Sequence, residues 1–392
     1  MKNRKFRSKF ILLLIGLFVL TPLVVAGTVC ADPLMDAINS APQGTGPGQI
    51  DGSAAPGYLG IPGGPNVNLV VAFFWAVWVG WIFSTVGAFG GIMAGVGHIT
   101  IFGLGQYAGQ FRDTSPALNK IVTDSVRVSN QFLVGMSAFI SSINYYKMGR
   151  LVLPLGVALA IGSMVGSYMI PALTAGKISF KAYIGYFGMF VLVLGCWMLY
   201  ETTPKGQASK KKAKQAAEAF EDTMRRQKCG EDVDTCDLGV KVTDFSIQRV
   251  TFTFYGVEFS FNPLFPVLGG FVIASIASFI GVGGGFLLVP FLTSVSGLPM
   301  YLSAGTSALA VLIGMITSIS SYLIQGVIVH WPMIGLEMVG IIVGSIIGPR
   351  TSKYISDKWL KRLFIILAFY VGIDYILRGF IGKNIMQALG LG

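Results

Sequence analysis

Glycines interrupt an apolar stretch of this sequence in a pattern that suits anion binding by backbone N–H groups. The stretch at 281–290 reads GVGGGFLLVP, and its glycines are Gly281, Gly283, Gly284 and Gly285. Glycine lets an anion approach the backbone closely, and N–H groups exposed at a helix N-terminus carry partial positive charge. Within a membrane, non-helical backbone is tolerated only where protein buries it or where it lines a water-filled cavity. The stretch therefore predicts an anion site at membrane depth.

Close helix packing is the alternative explanation for these glycines. It accounts for the small residues but does not account for Pro290 or for a second copy of the pattern elsewhere in the chain. A nucleotide-binding loop is excluded, because the stretch lacks the last glycine of GxGxxG and no strand-helix unit surrounds it.

An internal repeat supplies that second copy. Residues 84–91 align with 278–285, and 162–166 align with 344–348. Paired glycine-broken segments at corresponding positions of two halves point to a transporter site near the bilayer midplane. The predicted backbone donors are Gly87, Gly90, Gly91, Gly281, Gly283, Gly284 and Gly285, and the predicted side-chain donors are Ser129, Asn130, Thr306 and Ser307. For each hydroxyl, back-bonding to a helical carbonyl is the alternative role.

Ionisable residues are scarce within the apolar segments, so Glu337, Asp374 and Arg378 stand out. Glu337 has no charged partner four residues away on its helix, and it is either a proton carrier or a residue at a cavity rim. Asp374 and Arg378 are four residues apart, a spacing that predicts a structural ion pair. His98 and His330 are far in sequence from other metal-binding residues, so we predict no metal site and no cofactor.

Composition identifies a polytopic membrane protein. The 392 residues are 53% hydrophobic and 12% charged, with a mean hydropathy of +0.68. A net charge of +11 comes from basic residues flanking apolar runs, where the positive-inside rule expects them, and this argues against nucleic-acid binding. Apolar runs long enough to span a bilayer lie at 128–146, 151–171, 180–200, 303–325, 333–349 and 360–382, with glycine-interrupted runs at 69–104 and 264–297.

The remaining segments are polar. Residues 1–31 predict a signal peptide or an anchor helix, and residues 32–67 predict a flexible extracytoplasmic lead-in. The lysine-rich central loop at 202–262 is predicted to be cytoplasmic, with a helix at 207–228 and a hairpin broken at Gly256. Its two cysteines, Cys229 and Cys236, suit free thiols better than a redox-sensitive disulfide in a reducing compartment.

Basic residues at 350–362 should share the cytoplasmic face of the central loop. Both segments reach that face only if the run at 264–297 enters the membrane and returns. We therefore predict an all-α membrane protein built of two inverted repeats, 68–201 and 263–392. Each repeat is a glycine-broken re-entrant hairpin plus about three transmembrane helices.

The duplicated motifs resemble the TauE/SafE family of sulfite and organosulfonate exporters. The resemblance rests on Gly281–Gly285 with Pro290, on Ala304-Gly305-Thr306-Ser307, and on Tyr322, Gly326 and His330-Trp331. It covers about 266–382 well and about 72–200 loosely, with Phe89 in place of a motif glycine and Ser129-Asn130 in place of Thr-Ser.

The resemblance implies a multi-pass permease of the cytoplasmic (inner) membrane that moves a small sulfur-containing anion, coupled to the proton gradient. As a lone carboxylate in an apolar run, Glu337 is the candidate for proton coupling. No hydrolase or metalloprotease motif occurs in the apolar segments, so we predict no enzymatic activity. The expected partners are the anion and the lipid bilayer, and homo-oligomer formation is left open. The alternative is an assembly or signalling scaffold that acts through the central loop.

Overall fold

The computed structural model describes residues 32–86, 90–174, 180–203, 211–229, 238–280, 287–383 and 385–388. Several predictions fall outside these residues. They are the signal or anchor segment at 1–31, the glycines Gly87, Gly281, Gly283, Gly284 and Gly285, and Cys236.

Helices make up most of the described chain. Before the central loop they are α1 (Asp32–Ser40), α2 (Leu69–Val86), α3 (Gly90–Val96), α4 (Leu104–Gln110), α5 (Pro116–Lys147), α6 (Leu153–Thr174) and α7 (Phe180–Thr202). The central loop contains α8 (Lys211–Lys228), β1 (Lys241–Phe245), β2 (Val250–Phe254) and β3 (Val257–Phe261). After it come α9 (Leu264–Ile280), α10 (Leu288–Pro290), α11 (Met300–Ile324), α12 (Trp331–Ser352), α13 (Asp357–Ile376) and α14 (Ile385–Ala388).

Three helices in the described part of the chain are long and apolar enough to cross a membrane. They cover Met300–Ile324, Trp331–Ser352 and Lys358–Ile381. Shorter apolar helices lie at Leu69–Thr85, Gly90–Ile101, Leu153–Met169, Val191–Tyr200 and Leu264–Ala277. The six uninterrupted apolar runs read from the sequence coincide with α5, α6, α7, α11, α12 and α13, so their helical character is confirmed.

Helix α2 packs along α12, and glycines set the distance between them. A Cβ at Gly340 would lie 2.6 Å from the Phe73 carbonyl oxygen, and one at Gly80 would lie 2.6 Å from the Ile341 carbonyl oxygen. Between lipid-embedded helices, small residues are favoured because they let backbones approach closely. Helix α2 from the first half therefore finds its main partner in the second half.

Helix α9 packs along α6 in the same way. A Cβ at Gly166 would lie 2.6 Å from the Phe271 carbonyl oxygen, and one at Gly162 or Gly270 would overlap the facing backbone. The remaining long helices pair across the halves as α7 with α13 and α5 with α11. Each half thus packs its first long helix against the other half.

In the second half, both ends of the glycine-interrupted run lie near the central loop. In the second half, α9 follows the β-sheet that packs on α8, and the hydroxyl of Tyr301 beyond the run lies 2.9 Å from Glu221 Oε1 of α8. In the first half, the run ends at α4, where Asn119 of α5 donates to the Ala108 carbonyl at 2.5 Å. The re-entrant path of the two runs stays a prediction.

The central loop forms a compact unit on the bundle. Strands β1, β2 and β3 make an antiparallel sheet in that order. Tyr255 and Gly256 link β2 to β3 with φ of 48° and 76°, as a two-residue hairpin turn of the I′ kind needs. The predicted hairpin is confirmed, and the predicted helix is present as α8. Cys229, just after α8, is an exposed free thiol.

The central loop and the connection between α12 and α13 meet at one end of the bundle. The Tyr301 hydroxyl, besides approaching Glu221, lies 2.8 Å from the Ile355 carbonyl oxygen. The Val240 N–H donates to the Gly149 carbonyl at 2.8 Å, joining the loop to the α5–α6 connection. The two segments predicted to share a face therefore lie together.

Residues 32–67 are anchored by buried side chains, which their Pro- and Gly-rich composition did not indicate. Ile50, Tyr58 and Ile61 are at most 1% exposed and belong to the main core. Burial of this kind stabilises by roughly 1.5–3 kcal/mol for each large apolar side chain. The lead-in is therefore packed against the bundle at the end opposite the central loop.

Candidate functional site

A buried acid–base pair joins the two halves of the chain. Glu337 Oε2 of α12 lies 3.0 Å from His98 Nε2, and both side chains are 0% exposed. The other carboxylate oxygen, Oε1, is buried and has no hydrogen-bond partner among the described residues. A charged group removed from water in this way is retained where it has a function or a paired partner.

Asn130 fixes the orientation of the histidine ring. Its Oδ1 is hydrogen-bonded to His98 Nδ1, so that ring nitrogen carries the proton when the amide oxygen accepts. Nε2 then faces Glu337 as either an acceptor or a donor, depending on the protonation of the pair. The three side chains form a chain in the order Asn130, His98, Glu337.

Local backbone features place these side chains. His98 lies in a π turn, Gly97–Ile101, that continues α3, and π turns commonly occur at functional sites. Gly97 packs against the Trp75 indole, where a Cβ would overlap the ring. Glu337 follows the start of α12 at Trp331 by six residues, a depth of about 9 Å along the helix.

The lead-in covers this end of the bundle. The Tyr58 hydroxyl lies 3.0 Å from Ser125 Oγ, and its ring stacks on His330 with centroids 5.0 Å apart. Burial raises the pKa of Tyr58 to about 12, so the phenol stays protonated at neutral pH. Burial lowers the pKa of His330, whose neutral Nδ1 accepts from the Met333 N–H at 3.4 Å and caps α12.

The predicted side-chain donors occupy buried positions with bonds inside the protein. Ser129 Oγ donates to the Ser125 carbonyl at 2.7 Å, and Ser307 Oγ donates to the Ala304 carbonyl at 3.2 Å. These are the back-bonds that sequence analysis kept as the alternative. Thr306 Oγ1 accepts from the Val152 N–H at 3.2 Å, at the start of α6. Among the four, only Asn130 bonds to the His98–Glu337 pair.

The described glycines of the first-half motif are buried within the bundle. A Cβ at Gly90 would lie 2.5 Å from Phe83 Cβ and 2.8 Å from Phe83 Cα, so this position requires glycine for packing against α2. Gly91 is buried beside it in α3. Their role as anion donors stays a prediction, as does that of the glycines outside the described residues.

A small cavity lies between α6, α9 and α11. Its lining includes the hydroxyl-bearing Ser163 and Ser167 of α6 and the bare backbone of Gly314 of α11. Leu288, two residues past the undescribed glycine-rich segment, closes one side of it. The lining of the cavity therefore comes from both halves of the chain.

The chain matches a known protein family over most of its length. The family model "Sulfite exporter TauE/SafE" matches residues 71–375. The chain belongs to the TauE/SafE family. It is therefore a membrane transporter, and the match covers both halves together with the central loop between them.

A curated relative of this TauE/SafE chain is the "Probable membrane transporter protein YunE" of Bacillus subtilis (strain 168). The two are 22% identical over 318 residues, which cover 79% of this chain and 99% of the relative. No solved structure is significantly similar to the chain.

Two further charged residues, Asp374 and Arg150, are buried in this TauE/SafE transporter. Asp374 Oδ2 lies 2.6 Å from Arg378 Nε, which confirms the predicted ion pair, and Asp374 Oδ1 also accepts from the Ile385 N–H at 3.0 Å. Arg150, in the turn between α5 and α6, is 2% exposed. Burial lowers the pKa of the Arg150 guanidinium, because its charged form loses hydration.

His98 and Arg150 were not among the site residues predicted from the sequence. His98 was set aside because no partner lies near it in sequence, although its carboxylate partner is 239 positions away. The rule that intramembrane ionisable residues pair with one another would have linked His98 to Glu337, since each was alone in its apolar run. Arg150 lies at the edge of a run, where a basic residue is ordinary.

Proposed function

We propose that this TauE/SafE transporter is a proton-coupled secondary transporter of a small sulfur-containing anion, of the sulfite or organosulfonate type, in the cytoplasmic membrane. The observation that carries the proposal is the fully buried pair of Glu337 and His98, 3.0 Å apart. The substrate class comes from the family description, "Sulfite exporter TauE/SafE".

The pair of Glu337 and His98 can exist with one or with two protons, and its net charge differs by one unit between these states. With one proton shared between Glu337 Oε2 and His98 Nε2, the pair is neutral overall. A second proton on the carboxylate makes the pair cationic, and Glu337 Oε1, which has no partner in the described part of the chain, is an acceptor for it. A cationic pair at membrane depth attracts an anion, so anion binding and proton uptake favour each other.

An inverted repeat gives such a transporter a route to alternating access. The reciprocal packing supports this architecture, because α2 pairs with α12 and α9 pairs with α6. The first long helix of each half, α2 or α9, lies against the corresponding later helix of the other half, α12 or α6. Rocking of one half against the other would open the buried pair to alternate sides.

The two halves have diverged at corresponding positions. The alignment of Ser129 with Thr306 also pairs Ser137 with Gly314, and the alignment of 162–166 with 344–348 pairs Ser163 with Ser345. Ser137 and Ser345 hydroxyls bond to each other at 2.7 Å, whereas Gly314 leaves the small cavity opposite Ser163. The two halves therefore differ at these positions, with a serine–serine contact on one side and a small cavity on the other.

Transport in proteoliposomes tests the proposal. Vesicles containing the purified protein and an internal pH-sensitive dye receive an outward or inward gradient of thiosulfate, sulfite, sulfoacetate or sulfate. We expect acidification or alkalinisation with at least one sulfur anion and no change with chloride. Protein-free vesicles are the control for passive entry of the neutral, fully protonated form of each anion. Anion movement without proton movement would contradict proton coupling. If none of the sulfur anions moved, the proposed substrate class would be wrong.

A further inference from the structure

Arg150 is a buried cation surrounded by aromatic rings where the central loop meets the bundle. Its guanidinium carbon lies 4.7 Å from the ring centroid of Tyr145 and 5.2 Å from those of Phe220 and Tyr301. The rings come from α5, α8 and α11, so three separate elements meet at this charge. The contacts offset part of the cost of burying the cation.

None of the described residues uses the hydrogen-bonding capacity of the Arg150 guanidinium. Nε, Nη1 and Nη2 are all buried and have no hydrogen-bond partner among the described residues. An aromatic face replaces an oxygen acceptor only weakly, and a guanidinium presents five N–H donors in a planar fork. The other buried charges differ, since His98 bonds to Glu337 and Arg378 bonds to Asp374. Arg150 is thus equipped for an acceptor that these surrounding residues do not provide.

Arg150 also lies close to the part of α11 that carries Thr306, one of the predicted anion donors. Gly305 packs so closely against the Arg150 carbonyl and the Tyr145 side chain that no Cβ fits there. Two residues after Arg150, the Val152 N–H bonds to Thr306 Oγ1. Arg150 and Val152 are therefore in direct contact with the part of α11 that carries Gly305 and Thr306.

We infer that Arg150 binds the transported oxyanion at the central-loop end of the transport path, and that Phe220 of α8 covers this position. The inference rests on the proposed function and adds a residue and an entry point to it. A tetrahedral or pyramidal sulfur oxyanion presents two oxygens at the spacing of a guanidinium fork. Access requires α8 to move, which gives the central loop the role of an inner cover.

The first test measures anion affinity on the purified full-length protein. Stabilisation by sulfite and by sulfoacetate, titrated as a shift in melting temperature, gives a Kd for the wild type, Arg150→Gln and Arg150→Lys. Loss of a charged hydrogen-bond donor pair should raise Kd about tenfold or more, and lysine should give an intermediate value. Arg225→Gln removes an exposed arginine from α8 and is the matched control, expected to leave Kd unchanged. Equal affinity in Arg150→Gln would overturn the inference.

A second measurement covers the case in which Arg150→Gln does not fold. Phe220→Ala keeps the arginine and uncovers it, so phenylglyoxal should modify Arg150 in this variant, as read by mass spectrometry. Sulfoacetate should protect Arg150 from modification, whereas acetate, which lacks the sulfonate, should protect much less. Equal modification with and without sulfoacetate would mean that Arg150 only pins α8 to the bundle.

The outcomes also separate this inference from the proposed function. If wild-type protein neither binds nor moves any sulfur oxyanion, both fail. If wild-type protein moves the anion and Arg150→Gln binds and moves it equally well, the Arg150 site alone fails.

Discussion

Glu337 Oε2 lies 3.0 Å from His98 Nε2, and the two residues are 239 positions apart in the chain. Glu337→Gln preserves the size of the side chain and can still hydrogen-bond to His98, but it cannot take up a proton. We expect anion-driven proton movement to fall to the level of protein-free vesicles while the protein remains folded. Proton movement equal to wild type in a well-folded Glu337→Gln protein would exclude this pair as the coupling site.

Removing the histidine should act on stability instead. His98→Ala leaves a buried carboxylate without its partner, and breaking a buried pair by removing one member costs about 3–5 kcal/mol. Thermal unfolding in detergent should show a large drop in melting temperature. The double variant His98→Ala with Glu337→Leu removes both groups and should recover much of the loss. An equally unstable double variant would show that cavity formation, rather than the charge, dominates.

Thr306 is expected to hold the start of α6 in place. Thr306→Val removes the acceptor of the Val152 N–H, which is then buried without a partner, at a cost of about 1–3 kcal/mol. Thr306→Ser keeps the hydroxyl and is the matched control. Melting temperatures of the two variants should therefore differ clearly. If valine matches serine in stability but weakens sulfite binding, Thr306 acts as the anion donor that sequence analysis predicted.

Two glycines of α12 should respond in opposite ways to the same substitution. Gly344→Leu places a side chain against the Val77 backbone of α2, which cannot move aside, so folded protein should be lost. Gly335→Leu, on an exposed part of the same helix with open space around it, should be tolerated and can add helix propensity of up to about 1 kcal/mol. Folded yield by size-exclusion chromatography measures both. Equal yields would mean that α2 and α12 do not depend on close contact.

The orientation in the membrane can be tested with single cysteines at positions 212, 356 and 388 in a background without native cysteines. We expect a membrane-impermeant reagent applied from the periplasmic side to label position 388 alone. The contact between Tyr301, Glu221 and Ile355 requires positions 212 and 356 to behave alike. Labelling at 356 but not at 212 would contradict the re-entrant arrangement.

The helices and the hairpin were accessible from sequence because each is set by local patterns. Runs of apolar residues give the long helices, and a two-residue turn at Tyr255-Gly256 between alternating residues gives β2 and β3. Glu337 was also accessible, since a lone carboxylate in an apolar run is costly. These features depend on neighbours within a few residues.

The residues that contact these side chains could not be predicted from the sequence, because the contacts depend on which helices pack together. His98 comes from a π turn in the first half and Glu337 from α12 in the second, and no local pattern links them. Tyr58 likewise lies in a segment whose composition indicates a linker, yet it is fixed by Ser125 and His330. Composition describes the average of a segment, whereas one buried aromatic residue can anchor it.

The exchange of first helices between the halves has a consequence for biogenesis. Helix α2 ends at Val86 and its main partner α12 begins at Trp331, roughly 245 residues later. At a synthesis rate of 5–20 residues per second, the ribosome takes roughly 12–50 s to bridge that interval. During this time the backbone around Gly80, which fits α12 so closely, faces lipid or the insertion machinery. Chains truncated before Trp331 lack that partner, so we expect them to be degraded by membrane quality control and not to act as half-sized transporters.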